Sequence, residues 1–155
     1  MEHAPKPPAT PVAPATWIAL NELITRHAWV LDHGDPRDLG SLYTEDGSLI
    51  GLEEPLVGRA AIDRWALERA EITDRTSRHV HTNVRITVDD DGVHHGLMTT
   101  LLFRHDGEGP GPTTPFIVND YQDTYQQESD GTWLIAKRVM RRVFIDGSRI
   151  GGTFR

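Results

Sequence analysis

Residues 17–35 read WIALNELITRHAWVLDHGD, and the spacing of their apolar side chains decides how the rest of the chain is laid out. Trp17, Leu20, Ile24, Ala28 and Leu31 recur three or four apart, which is the period of one helix face. Asp32 stands four residues after Ala28 and eight after Ile24, so that face ends on a carboxylate. An ionised acid turned toward an interior is costly unless a partner meets it there. His27, four residues before Leu31, lies on or beside the same face.

Around this helix the signals change in order. Thr16 is the expected N-cap, and the helix is expected to end near Asp32-His33-Gly34. Upstream, five prolines in the first 14 residues predict a flexible Pro/Ala-rich arm over residues 1–15. Downstream, Asp35-Pro36-Arg37-Asp38 has the chemistry of a second helix start, with a cap, a proline at the first helical position and an acid in the first turn. That short helix is expected to bury Leu39, Leu42 and Tyr43 and to stop at Glu45-Asp46-Gly47, ahead of a strand over Ser48–Leu52. Gly58–Ile72 reads as a third helix with Ile62, Trp65, Ala66 and Ile72 on one side.

From Arg78 the period becomes two. Val80, Val84, Ile86 and Val88 alternate with His79, His81, Asn83 and Arg85 as in a strand, and a second strand is expected over Val93–His105. A Gly/Pro-rich loop follows over Asp106–Thr114, and Phe116–Gln127 and Thr132–Ile145 read as two further strands about a Ser129-Asp130-Gly131 turn. Three helices followed by a meander of about four antiparallel strands make an α+β domain over residues 16–155, its sheet curling round the helices and leaving a concave pocket.

Composition narrows the function classes. At 155 residues the chain is of single-domain length, and a net charge of −7 argues against binding a nucleic-acid backbone by bulk electrostatics. No cysteine is present, which removes thiolate nucleophiles and cysteine-bound zinc and suits a cytoplasmic protein. No apolar run reaches the roughly 20 residues of a membrane span, and the N-terminus lacks the apolar stretch of a secretory signal. Homo-oligomers are the default for such proteins, so a homodimer or homotrimer is expected.

Several residues carry candidate chemistry. If Asp32 and His79 reach one pocket, the carboxylate orients the imidazole and strengthens it as a base for a carbon-bound proton. The plainer reading keeps Asp32 as a cap and His79 on a surface face, and strict alternation does set His79 opposite Val84 and Ile86 unless a bulge flips the register. Arg138 is a candidate for holding a developing negative charge, or else part of a solvated basic face with Lys137, Arg141 and Arg142. Tyr43, Trp65, Tyr121 and Tyr125 are candidates for pocket walls, and Asn119 shares a strand face with Tyr121 and Asp123. Eight histidines include the pair His79 and His81 on one strand face, but no compact metal signature occurs, and neither a metal nor a cofactor is expected.

Taken together, RHAWVLDHGDPRDLGSLYTEDG, VGRAAIDRW, RHVHTNVRI, YQDTY and DGTWLIAKR resemble the SnoaL-like branch of the NTF2-like superfamily over residues 16–145. The resemblance implies a cone in which a curved, mainly antiparallel sheet wraps three helices. The branch includes dehydratases acting on scytalone and bile acids, a hexachlorocyclohexane dehydrochlorinase, polyketide cyclases and dioxygenase small subunits. It places an acid–histidine dyad on Asp32 and His79 and a pocket arginine on Arg138. His27 stands where many relatives carry tyrosine, and no second histidine falls within Leu97–Phe103, unlike scytalone dehydratase. The expectation is a cofactor-independent lyase or isomerase acting on a small hydrophobic cyclic metabolite. Asp32, His79 and Arg138 are its catalytic residues, with His27, Tyr43, Trp65, Asn119 and Tyr121 binding substrate. The alternatives are a non-catalytic binding or assembly module and an aldol-type cyclase using Asp32 or Asp123 as base.

Overall fold

The computed structural model describes residues 10–149. The leading helix, α1, spans Pro14–Asp32 and buries Leu20, Leu23, Ile24, His27, Ala28 and Val30. Its stripe begins at Leu20, because Trp17 in the first turn is 39% exposed. The helix starts two residues before the expected cap. Ala13 is the N-cap and Pro14 takes the first helical position, where a missing N–H costs nothing and the fixed φ already suits a helix. The arm expected over 1–15 is therefore shorter on this side, since Thr10–Pro11 (β1) pairs with Val88 and Thr87; residues 1–9 lie outside the described residues.

The Asp35 carboxylate accepts from the Arg37 backbone N–H at 3.0 Å and opens a 3-10 helix over Pro36–Leu42. This segment stops earlier than expected, because Tyr43 already belongs to a strand, β2 (Tyr43–Ile50). β3 is the short Leu56–Val57, and α2 spans Arg59–Ala70 with Ile62 and Ala66 fully buried. Ile72 falls beyond the end of α2 and is only half-buried. Four long strands follow: β4 (Arg75–Val88), β5 (His94–Asp106), β6 (Ile117–Gln127) and β7 (Trp133–Ile145).

The sheet has seven strands in the order β1-β4-β5-β6-β7-β2-β3. The central meander is antiparallel as expected, but β2 lies parallel to β7, so the sheet is mixed and wider than the four strands read from the meander. Three register shifts interrupt the long strands, and two of them decide which side chains beside the site face the interior. One falls between Thr82 and Arg85 on β4, where Asn83 adopts φ 54°, a left-handed conformation that asparagine tolerates better than most residues. Before it Ser77, His79 and His81 face inward; after it Ile86 does, while Val80 is 46% exposed. The other falls beside Ala136 on β7 and turns both Ile135 and Arg138 into the interior. The core joins Leu20 and Ile24 of α1 to Leu39, Tyr43, Ile62, Met98 and Ile135. Among the described residues no helix is long and apolar enough to cross a membrane.

Candidate active site

The last residue of α1 lies against the first residues of β4, and this crossing builds the site. Ser77 and His79 are two apart on the strand and so project to the same side, toward Asp32. The Asp32 Oδ1 atom accepts from the Ser77 hydroxyl at 2.8 Å and meets His79 Nδ1 at 2.7 Å, while Oδ2 accepts from the His79 backbone N–H at 2.6 Å. Burial disfavours the charge on Asp32, but these donors outweigh it, and the carboxyl is held below its ordinary pKa. An ionised acceptor at Nδ1 fixes the proton on that nitrogen, which leaves Nε2 of His79 as the basic atom on the cavity side. Both side chains are largely buried, at 5% exposure for Asp32 and 13% for His79.

His79 lines a cavity of about 130 Å³ together with His27, Trp65, Asn119 and Tyr121. Apolar wall comes from Leu31, Leu39, Leu49, Leu102, Phe116 and Met140. His27 reaches it from α1, one helical turn and a residue before Asp32, and its Nε2 is 3.0 Å from the Tyr43 hydroxyl. Burial, reinforced by the charge of Arg138 and by the neighbouring His79 and His81, pushes the His27 pKa well below that of a free imidazole, so this ring is neutral at pH 7.

Two of the residues expected to touch a ligand lie one layer behind. Tyr43 is fully buried behind His27 and does not line the cavity. Nor does Arg138, whose side chain has no exposed surface. Its Nε and Nη2 donate to Asp123 Oδ1 and Oδ2 at 2.8 and 2.6 Å, and its guanidinium carbon sits 5.0 Å from the Tyr121 ring centroid. The reason is the shift at Ala136, which sets Arg138 opposite Asp123 across β6 and β7. An aspartate base finds no support in this arrangement. Asp123 is gripped by Arg138 and by the Tyr125 hydroxyl at 2.8 Å, and Asp32 is screened from the cavity by the His79 ring that it orients.

His79 and His81 share the inward face, but His81 turns to a different task. Its Nδ1 is 2.7 Å from the Thr100 hydroxyl, and burial, reinforced by Arg138 and His79, pushes its pKa down to about 3. Among the described residues no three His, Asp or Glu side chains converge as a metal-binding group.

A SnoaL-like domain model matches residues 18–139, a span that includes Asp32, Ser77, His79, His27, Tyr43, Asp123 and Arg138. The chain belongs to the SnoaL-like family. No curated protein matches it. Solved structures agree on the family's fold. A protein of Catenulispora acidiphila in complex with S-DNPA is similar at 25% identity and a TM-score of 0.67, over 84% of this chain and 95% of the other. A candidate scytalone dehydratase from Novosphingobium aromaticivorans is 18% identical with a TM-score of 0.70, over 84% and 85% of the two chains. An NTF2-like protein with a cystatin-like fold from the same organism is 21% identical with a TM-score of 0.69, over 85% and 84%. This SnoaL-like chain is thus an α+β cone of the NTF2-like type, its mixed sheet curved and unclosed.

Sequence reasoning missed Ser77, the third donor to Asp32, and Arg69, which lines the cavity from α2. A signal existed for Arg69: it follows Ile62 by seven and Ala66 by three, the same helical face. For Ser77 the signal lay in period two, counted back from His79.

Proposed function

We propose that this SnoaL-like protein is a cofactor-independent lyase or isomerase that abstracts a carbon-bound proton from a small, largely apolar ring compound. The observation that carries this reading is the 2.7 Å contact between Asp32 and His79 at the wall of a mainly apolar cavity. Nε2 of His79 takes the proton, and the imidazolium so formed is stabilised by the Asp32 carboxylate, which Ser77 and the His79 backbone hold in place. The electrons of the broken C–H bond form a new double bond. In a dehydration or dehydrohalogenation the bond to hydroxyl or halide breaks with its electron pair; in an isomerisation His79 returns the proton to a different carbon. Asn119, Tyr121 and Trp65 supply donors beside the reacting ring, and Arg138 acts through Tyr121, against whose ring it is stacked. Arg138 is in this role a positioning residue.

Cavity size limits the substrate. An apolar cavity of roughly 150 Å³ holds a benzene-sized molecule. The volume of about 130 Å³ therefore suits a single ring, and a fused polycyclic compound would have to project through the mouth.

The test is turnover of single-ring compounds that carry either a leaving group beside an acidic C–H or a movable double bond. His79→Ala is expected to lower kcat by roughly 10²–10⁴ while ligand binding survives, the range supplied by a positioned general base. Asp32→Asn should fall in the same direction, because the imidazole loses its orienting charge. Full turnover in His79→Ala would end this reading.

A further inference from the structure

The cavity is apolar along its wall but strongly cationic at one end. Among the described residues its lining includes Arg69, Arg75, Arg104 and Arg142, and one carboxylate, the exposed Glu53. In a chain of net charge −7 this concentration of positive charge runs against the overall balance. Arg75 donates to Asp106 through Nε and Nη2, both at 2.8 Å, and Arg104 reaches the same carboxylate at 3.5 Å. Among the described residues, the Asp106 carboxylate is thus shared by two guanidiniums.

Arg69 adds a third cation to this end and brings no acid with it. It is 8% exposed, and its one described hydrogen bond runs from Nη1 to the Ile72 carbonyl at 3.3 Å. No carboxylate pairs with it among the described residues. Burial, together with the like charges of Arg75 and Arg104, disfavours its protonated form more than the carboxylates of Asp106 and Asp32 favour it. A buried guanidinium stays charged, and among the described residues no carboxylate is in direct contact with it to serve as its counter-ion.

We infer that the ligand brings the missing charge: the cavity takes a ring compound bearing a carboxylate, and Arg69 binds that carboxylate. The planar fork of the guanidinium matches a carboxylate in a bidentate contact, which an ammonium cannot do. Asp32 is among the charges that Arg69 senses, so the anion end adjoins the Asp32–His79 pair, and a ring anchored there lies across His79, Asn119 and Tyr121. This specifies the substrate class of the reading above, a small cyclic acid, and rests on this cavity being the ligand site.

Benzoate and its neutral isostere benzamide probe the inference by calorimetric titration of the full chain at low salt. Benzoate is expected to bind at least about tenfold more tightly, the contribution of one charge-assisted contact. Arg69→Gln should bring benzoate down to the benzamide affinity and leave benzamide unchanged. Arg69→Lys, which keeps the charge without the fork, should keep a few-fold preference and serves if the glutamine variant does not fold. Equal affinities in the unmodified protein, or a full preference surviving in Arg69→Gln, would overturn the assignment. The preference should persist in His79→Gln, which separates the two readings. A benzoate preference beside full turnover in His79→Ala removes the reaction alone; lost turnover without a benzoate preference removes the anion subsite alone.

Discussion

Two carboxylates in this fold each hold a basic side chain, and they differ in what surrounds the base. Asp32 meets His79 at 2.7 Å beside a cavity, with the imidazole contributing to its wall. Asp123 meets Arg138 at 2.6 Å with no exposed surface on either side chain, and Tyr125 closes the remaining approach. The first pair contains an imidazole, a ring with one nitrogen that can accept a proton, and the second contains a guanidinium, which stays charged. Proton transfer needs a titratable atom with space beside it, whereas fixing the facing of two strands needs a permanent charge with none. On the function proposed above, the same kind of pairing serves chemistry in one place and architecture in the other.

Breaking the closed pair separates these roles most sharply. Arg138→Ala leaves Asp123 buried without its cation and should cost about 3–5 kcal/mol in denaturant unfolding. Replacing both partners, as Asp123→Leu with Arg138→Met, should recover most of that loss, because a buried ion pair adds little over well-packed apolar groups. His79→Ala should cost no more than about 1–2 kcal/mol of stability, since Asp32 keeps the Ser77 hydroxyl and a backbone N–H. Equal stability losses from the Arg138 and His79 substitutions would erase the distinction.

The histidine between the two pairs provides the next test. His81 is held neutral in the folded protein, its pKa pushed down to about 3 by burial, Arg138 and His79. Below pH 6.5 the unfolded chain takes up a proton on this ring that the folded chain refuses, so stability falls as pH falls. Each such histidine contributes a slope of about 1.4 kcal/mol per pH unit. The window runs from about 6.5 down toward the folded value, and Asp32, whose carboxyl is held low, stays ionised through most of it. His81→Gln should flatten the dependence of stability on pH by that amount between pH 6 and 4. An unchanged slope would mean that His81 is protonated in the fold, and that the cation beneath Tyr121 does not govern the polar layer.

What can be read from the residues depends on the reach of the forces involved. The stripe from Leu20 to Asp32 depends on neighbours three and four apart, so periodicity alone turns the carboxylate inward. Strand β4 is harder, because its alternation reverses at Asn83, and only the structure shows the register shift that brings His79 and Ile86 to one face. The parallel partnership of β2 with β7 joins segments roughly ninety residues apart and leaves no local trace, which is why local signals start that strand at Ser48 rather than Tyr43. Arg138, beside Lys137 and Arg141, offers a choice between a solvated face and a pocket wall, and neither reading anticipates a closed pair with Asp123. Its burial depends on the register shift at Ala136, a detail of pairing rather than of composition.

The smallest expected effect bears on whether the two regions act on each other at all. Tyr43 lies beneath the cavity, senses the charges of Arg138 and Asp123, and is linked to the cavity wall through its hydroxyl, 3.0 Å from Nε2 of His27. Tyr43→Phe removes that bond and keeps the ring that packs in the core. His27 borders the cavity, where water can replace the lost partner, so the cost should be about 1 kcal/mol of stability. If Tyr43 only supports the floor, turnover should change by less than about tenfold, or 1.4 kcal/mol in the barrier. A loss matching that of His79→Ala would place the Tyr43–His27 contact within proton transfer. The buried layer would then be part of the chemistry rather than its foundation, and the contrast between an open and a closed pair would describe solvent access without describing function.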